Sequence, residues 1–165
     1  MEYIDLNRFR QNAELNGVCK EYSVQWDNCI SKKDLFDLAC DVNGAGYLCD
    51  SIAKGWGVSP SYVSEKFNSY LNGRYTYDNG KYSSQIYCQY KGDIECTTTL
   101  VVLIDCDATI CIPRGRICEI YITGKSNISF KGQGKGVVVR FGDKVSTIVV
   151  ESENVEIKYV QGNGY

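Results

Sequence analysis

The stretch from Thr97 to Val160 most constrains what this chain can become. It reads TTTLVVLIDCDATICIP, RGRICEIYIT, GKSNISFKG, QGKGVVVRFG, DKVSTIVVE and SENVEIKYV, with runs starting at Thr97, Ala108, Ile117, Ile128, Val137, Val145 and Val155. Short β-branched runs bounded by Gly, Asn, Asp and Ser predict strands and turns. Their spacing fits a meandering sandwich or the faces of a small β-solenoid, the latter with two or three rungs. Within the runs, Val137, Val139 and Phe141 share a face opposite Val138 and Arg140. Likewise Val155, Ile157 and Tyr159 lie opposite Glu156 and Lys158, and Cys118, Ile120 and Ile122 opposite Glu119 and Tyr121. That period of two predicts one buried and one wet face.

Before about Tyr90 the pattern is helical. Helices are expected at Asn7–Leu15, ended by Asn16-Gly17, and at Glu21–Cys29, anchored by Tyr22, Val24 and Trp26. Ser31 with Asp34 forms a capping box for a helix carrying Leu35, Leu38, Ala39 and Val42, which Asn43-Gly44 should end. Tyr47, Leu48, Ile52 and Ala53 mark the next helix, stopped near Gly55, and Ser59-Pro60 opens the last, closed by Asn72-Gly73. Asp78-Asn79-Gly80, flanked by Tyr75, Tyr77 and Tyr82, reads as a hairpin turn. The fold class is therefore α+β, an N-terminal helical domain followed by a C-terminal all-β domain. Residues 1–74 form the helical docking domain, 75–95 a Tyr-rich hairpin or connector, and 96–165 a β-rich oligomerisation domain.

The chemistry-bearing residues are sparse. The 165 residues include no histidine, which removes the usual general base and the commonest metal ligand. Nine cysteines occur without a CxxC pair, so buried free thiols are expected in preference to a zinc knuckle or a full disulfide set. Gly132, Gly134 and Gly136 precede a strand, whereas a phosphate loop leads into a helix; a flexible turn is expected there. Asp105 and Asp107 read as a solvated strand end. No catalytic residue, metal or cofactor is assigned. With 18 basic and 20 acidic residues, nothing global attracts nucleic acid. No apolar run approaches about 18 residues, so no membrane span is expected. The N-terminal residues lack a signal-peptide core, which points to synthesis and assembly in a cytosol.

One motif points elsewhere. In CDSIAKGWGVSPSYVSEKF, Ala53, Gly57 and Val63 stand at the helix-turn-helix offsets for a small residue, a turn glycine and an apolar residue. IAKGWGVSPSYVS resembles the core of phage-repressor and sigma-like helix-turn-helix units. A DNA-binding regulator would use Ser59, Ser61, Tyr62, Ser64 and Lys66 on its recognition helix. The basic stripe such readers use is thin here, because Lys66 has only Lys54 and Arg74 flanking it.

Taken together, LFDLACDVNGAGYLCDSIAKGWGVSPSYVSEKF and IYITGKSNISFKGQGKGVVVRF resemble small proteins of tailed phages, particularly crAss-like gut phages. The resemblance implies a virion component, such as a head fibre or capsid-surface protein assembled in the host cytoplasm. A small β-domain leaves open edges that need cover. The expected partners are further copies of the chain, a trimer being favoured, and other virion proteins.

Overall fold

The computed structural model describes residues 28–150 and 153–162, with Gln11, Leu15 and Gln25. Most of the helices expected at Asn7–Leu15 and Glu21–Cys29, and Cys19, lie outside the described residues, although Gln11, Leu15 and Gln25 are helical.

Three helices follow residue 28: α1 (Lys32–Ala39), α2 (Val42–Lys54) and α3 (Pro60–Phe67). Ser31 caps α1 in a complete capping box: its hydroxyl accepts from the Asp34 N–H, and Asp34 accepts from the Ser31 N–H. Hydrogen bonds from the Ile30 N–H and the Ser31 side chain hold the Asp34 carboxyl below its ordinary 3.8. A lowered folded value means that this contribution is present above the unfolded pKa and is lost as acid takes the pH down through the folded one. Ser31→Ala should cost about 1 kcal/mol, read from the urea midpoint near neutral pH.

Asn43-Gly44 does not end a helix. The first one stops at Ala39, and Asp41 caps α2 by accepting from the Gly44 N–H, so Asn43 and Gly44 lie in the first turn of α2. Gly55 ends α2 in the left-handed region (φ 70°), where glycine carries no Cβ penalty. Ser59 and Pro60 open α3 as expected. A 3₁₀ turn, Asn68–Tyr70, leads into the strands.

Among the described residues ten strands follow: β1 (Gly73–Tyr77), β2 (Tyr82–Cys88), β3 (Lys91–Glu95), β4 (Leu100–Ile104), β5 (Asp107–Ile112), β6 (Ile117–Thr123), β7 (Asn127–Gly132), β8 (Lys135–Arg140), β9 (Ser146–Val149) and β10 (Glu156–Gln161). Apart from the antiparallel β1–β2 hairpin, every pairing is parallel, and each strand pairs with the one two runs further along. The result is two sheets, ordered β1-β2-β4-β6-β8-β10 and β3-β5-β7-β9. This is a β-solenoid, not a sandwich meander, and it has four two-strand coils with β10 opening a fifth. Successive residues in register, Gln85, Val101, Ile120, Val138 and Tyr159, set coil lengths of 16, 19, 18 and 21 residues.

The corners make this winding possible. Gln89, Asp105, Gly124 and Gly142 all have positive φ (53°, 54°, 72° and 83°) and follow strands of the larger sheet. They turn the chain sharply towards the second sheet. The Asp105 carboxylate accepts from the Lys125 N–H at 2.7 Å, tying one corner to the next.

Two cores result. Between the sheets, Val101, Leu103, Ile110, Ile112, Ile120, Ile122, Ile128, Phe130 and Val138 are fully buried. On the far side of the six-stranded sheet, Phe36, Cys40, Cys49, Val63 and Phe67 of the helical layer pack on Ile86, Val102, Ile104, Tyr121 and Phe141. The expectation of one wet face therefore fails for this sheet. Val138 points into the solenoid while Phe141 lies under the helices, and both are buried. That double coverage explains the unbroken apolar run LVVLI in β4.

Candidate interaction surfaces

The two ends of the solenoid differ. At the first end, Gln85 plugs the space between the sheets. Its side-chain carbonyl accepts from the Thr97 N–H, the Thr98 N–H and the Thr98 hydroxyl (2.8, 3.2 and 3.1 Å), and its amide donates to the Glu95 carbonyl at 2.9 Å. The edge strand β1 is tied to the helices: the Tyr75 hydroxyl donates to Asp37 and the Tyr77 hydroxyl to the Cys40 carbonyl. Two of the three tyrosines flanking the expected turn, Tyr75 and Tyr77, are thus engaged inside the molecule. Phe36 meets the Tyr75 ring edge-on at 4.8 Å.

The other end has no such plug among the described residues. β10 and β9 close their sheets' strand orders here, as β1 and β3 do at the first end, so among the described residues one side of each backbone meets no further strand. Ile148, Val149, Tyr159 and Val160 are 57%, 37%, 38% and 39% exposed. The Arg140 guanidinium lies 4.9 Å from the Tyr159 ring centre, and its Nε is buried without a hydrogen-bond partner. The Lys135–Glu156 pair at the opposite end of the β8–β10 ladder, at 3.6 Å, is largely solvated and contributes little. β10 is nevertheless a formed strand, in register with β8 from Glu156 to Gln161.

The helical layer holds the residues that the helix-turn-helix motif singles out. The Ser59 hydroxyl is engaged as the α3 cap, accepting from the Tyr62 N–H at 3.1 Å. Ser61 is exposed; Tyr62, Ser64 and Lys66 are half-buried. Gly57 has the positive φ (108°) of a turn glycine. Ala53, the small residue expected at a helix crossing, is instead exposed, within 3.3 Å of where a Cβ on Gly142 would lie. α3 is fixed to the sheet through buried Val63 and Phe67, and the Cys88 thiol donates to the Pro60 carbonyl. Between the helices runs an apolar groove lined by Leu35, Leu38, Ala39, Tyr47, Leu48, Val58 and Tyr62, with a cavity of about 80 Å³. A second hollow, of about 260 Å³, lies over the stacked corners; its charged lining balances Asp105 and Asp143 against Lys125 and Lys144.

The glycine run turns the chain from β7 into β8, as expected, and its N–H groups do not face a phosphate. The Gln133 and Gly134 N–H groups both donate to the Ile112 carbonyl (3.1 and 2.9 Å) and so are spent. A Cβ on Gly134 would lie 2.4 Å from the Pro113 carbonyl oxygen. The glycines let one coil press on the preceding one.

Six of the eight described cysteines, Cys40, Cys49, Cys88, Cys96, Cys106 and Cys118, are buried and free. Burial pushes Cys40 and Cys49 up, and Cys88 up to about 12. The Cys96 thiol is hydrogen-bonded to Cys118, which raises Cys96 and lowers Cys118. No group of three metal-ligating side chains occurs among the described residues. In the folded protein near pH 7, a maleimide should label half-exposed Cys111 ahead of the six buried thiols, which wait for denaturant. Peptide mapping that found Cys40 or Cys49 labelled early would contradict the packing.

The sequence reading missed the exposed pair Ile148 and Val149, which hid in an ordinary strand pattern, and the Gln85 plug. A glutamine inside an apolar strand was the available signal for the latter. Compared with family models, curated proteins and solved structures, the chain matches none.

Proposed function

We propose that this chain is a non-enzymatic structural protein of a tailed-phage virion, a head fibre or capsid-associated component, that assembles with further copies through the open end of its solenoid. The observation that carries the assembly reading is a difference between the two ends: inside the first, Gln85 fills the space between the sheets, and the other leaves Ile148, Val149, Tyr159 and Val160 exposed on its edge strands. Unpaired edges with exposed apolar side chains are sites of chain association. A trimer is the favoured assembly, and the helical layer is the part that would meet another virion protein. The virion assignment is supported by the likeness of residues 35–67 and 120–141 to small tailed-phage proteins.

Mass spectrometry of washed, intact phage particles whose genome encodes this chain tests the assignment. The chain should be present at a fixed copy number per particle. Its absence from washed particles, with the protein abundant in the infected cell, would overturn the virion reading.

A further inference from the structure

We propose that Asn79 is a site of spontaneous covalent modification, its side-chain amide lost as ammonia through attack by the Gly80 backbone nitrogen. The site lies on the β1–β2 hairpin at the first end and is independent of assembly through β9 and β10. In the reaction the Gly80 nitrogen gives up its proton to solvent base and bonds to the Asn79 side-chain carbonyl carbon. The carbon–nitrogen bond of the side-chain amide breaks, and ammonia leaves with the returned proton. Water, the only co-reactant, then opens the cyclic imide at either carbonyl. One opening leaves aspartate, the other an isoaspartate in which the main chain runs through the side-chain carbon.

This chemistry needs a backbone nitrogen that is neither shielded by a Cβ nor hydrogen-bonded, and a side-chain amide free to turn towards it. Asn-Gly pairs stand at 43–44, 72–73 and 79–80 among the described residues, and glycine removes the Cβ in each. The fold treats them differently. The first pair lies in the opening turn of α2, where buried Gly44 donates its N–H to the Asp41 carboxylate at 2.7 Å. In the second, the Asn72 side-chain oxygen accepts from the Cys88 N–H at 3.0 Å and the Asn72 N–H donates to the Ile86 carbonyl at 2.8 Å, so that amide is committed to β2. Asn79 and Gly80 are both exposed, and nothing lies within 4 Å of where a Gly80 Cβ would stand. Neither forms a hydrogen bond among the described residues; the bond of the turn runs past them, from the Lys81 N–H to the Asp78 carbonyl at 3.0 Å. Asp78, Asn79 and Gly80 take positive φ in succession (54°, 54° and 84°), a conformation that asparagine tolerates and does not prefer. A tip of this kind opens locally at low cost, which lets the nitrogen and the amide meet. The product places a new negative charge beside Asp78, and its iso form lengthens the backbone of the turn that joins edge strand β1 to β2.

The test is peptide mapping by mass spectrometry of the full chain after incubation, folded, in mildly alkaline buffer. Trypsin separates the three pairs, because Lys33 and Lys54 bracket Asn43, Lys66 and Arg74 bracket Asn72, and Arg74 and Lys81 bracket Asn79. The Asn79 peptide should take on the mass of an amide exchanged for an acid, split into aspartate and isoaspartate species, several-fold faster than the other two peptides. In guanidinium chloride, with the chain unfolded, the Asn43 and Asn72 peptides should convert at a similar rate to it. A folded chain in which Asn43 or Asn72 converts as fast as Asn79, or in which Asn79 stays intact while the unfolded chain converts, would overturn the proposal. Gly80→Ala, which sets a Cβ beside the attacking nitrogen, should slow the loss at Asn79 several-fold and leave Asn43 and Asn72 as they were. An unchanged rate in that variant would assign the loss to direct attack by water and overturn the part given to Gly80.

Discussion

Phe130→Ala will lower the unfolding free energy by about 3–5 kcal/mol. Among the described residues Phe130 is the largest fully buried side chain, on β7 in the inter-sheet core, in register with Ile110 on one side and Val149 on the other. Stacked coils have little freedom to collapse onto a void, because each strand is held by ladders to both neighbours. At about 2–4 °C per kcal/mol, the melting temperature should fall by roughly 10 °C. Ser129→Ala, one residue away on the opposite face of the same strand, should stay within about 0.5 kcal/mol. Equal effects at 129 and 130 would mean that β7 does not present Phe130 to an inter-sheet core.

Gly132→Ala should be comparably damaging for a different reason. Gly132 has φ +105°, and a Cβ there would lie 2.3 Å from the Ile112 carbonyl oxygen. The obstacle is backbone of the neighbouring coil, which cannot swing aside as a side chain can. Strain and overpacking together should cost on the order of 4 kcal/mol. Gly80→Ala is the control. Gly80 also has positive φ (84°), but nothing lies within 4 Å of its Cβ position. It meets only the backbone penalty of about 1 kcal/mol. Urea unfolding of the two variants side by side separates coil contact from turn strain. Equal losses would refute the close stacking of β7 and β5.

Much of the local structure was legible. The expected run starts fall within three residues of β4 to β10, because β-branched runs and turn residues act locally. The Asp78-Asn79-Gly80 turn and the Ser31 and Ser59 caps are local chemistry as well. Pairing was not legible. Two neighbouring runs can face each other in a meander or alternate between two sheets, and the same alternation of side chains serves both. The corners that decide it use glycine only at 124 and 142; Gln89 and Asp105 take the same left-handed turn without advertising it. Nor could periodicity reveal that helices cover Tyr121 and Phe141 from outside. The candidate surface was legible as a need for edge cover, but which end is open depends on Gln85, whose plugging bonds join residues 10 to 13 apart.

Static light scattering of the full chain across a concentration series tests assembly through the open end most directly, alongside a variant carrying Ile148→Lys and Val160→Lys. Both positions are exposed, so the variant should keep the wild-type circular dichroism spectrum. The wild-type chain should show a defined multiple of the single-chain mass, and the variant the single-chain mass. A wild-type chain that stays monomeric at every concentration, or a variant that keeps the full assembly, would contradict the account.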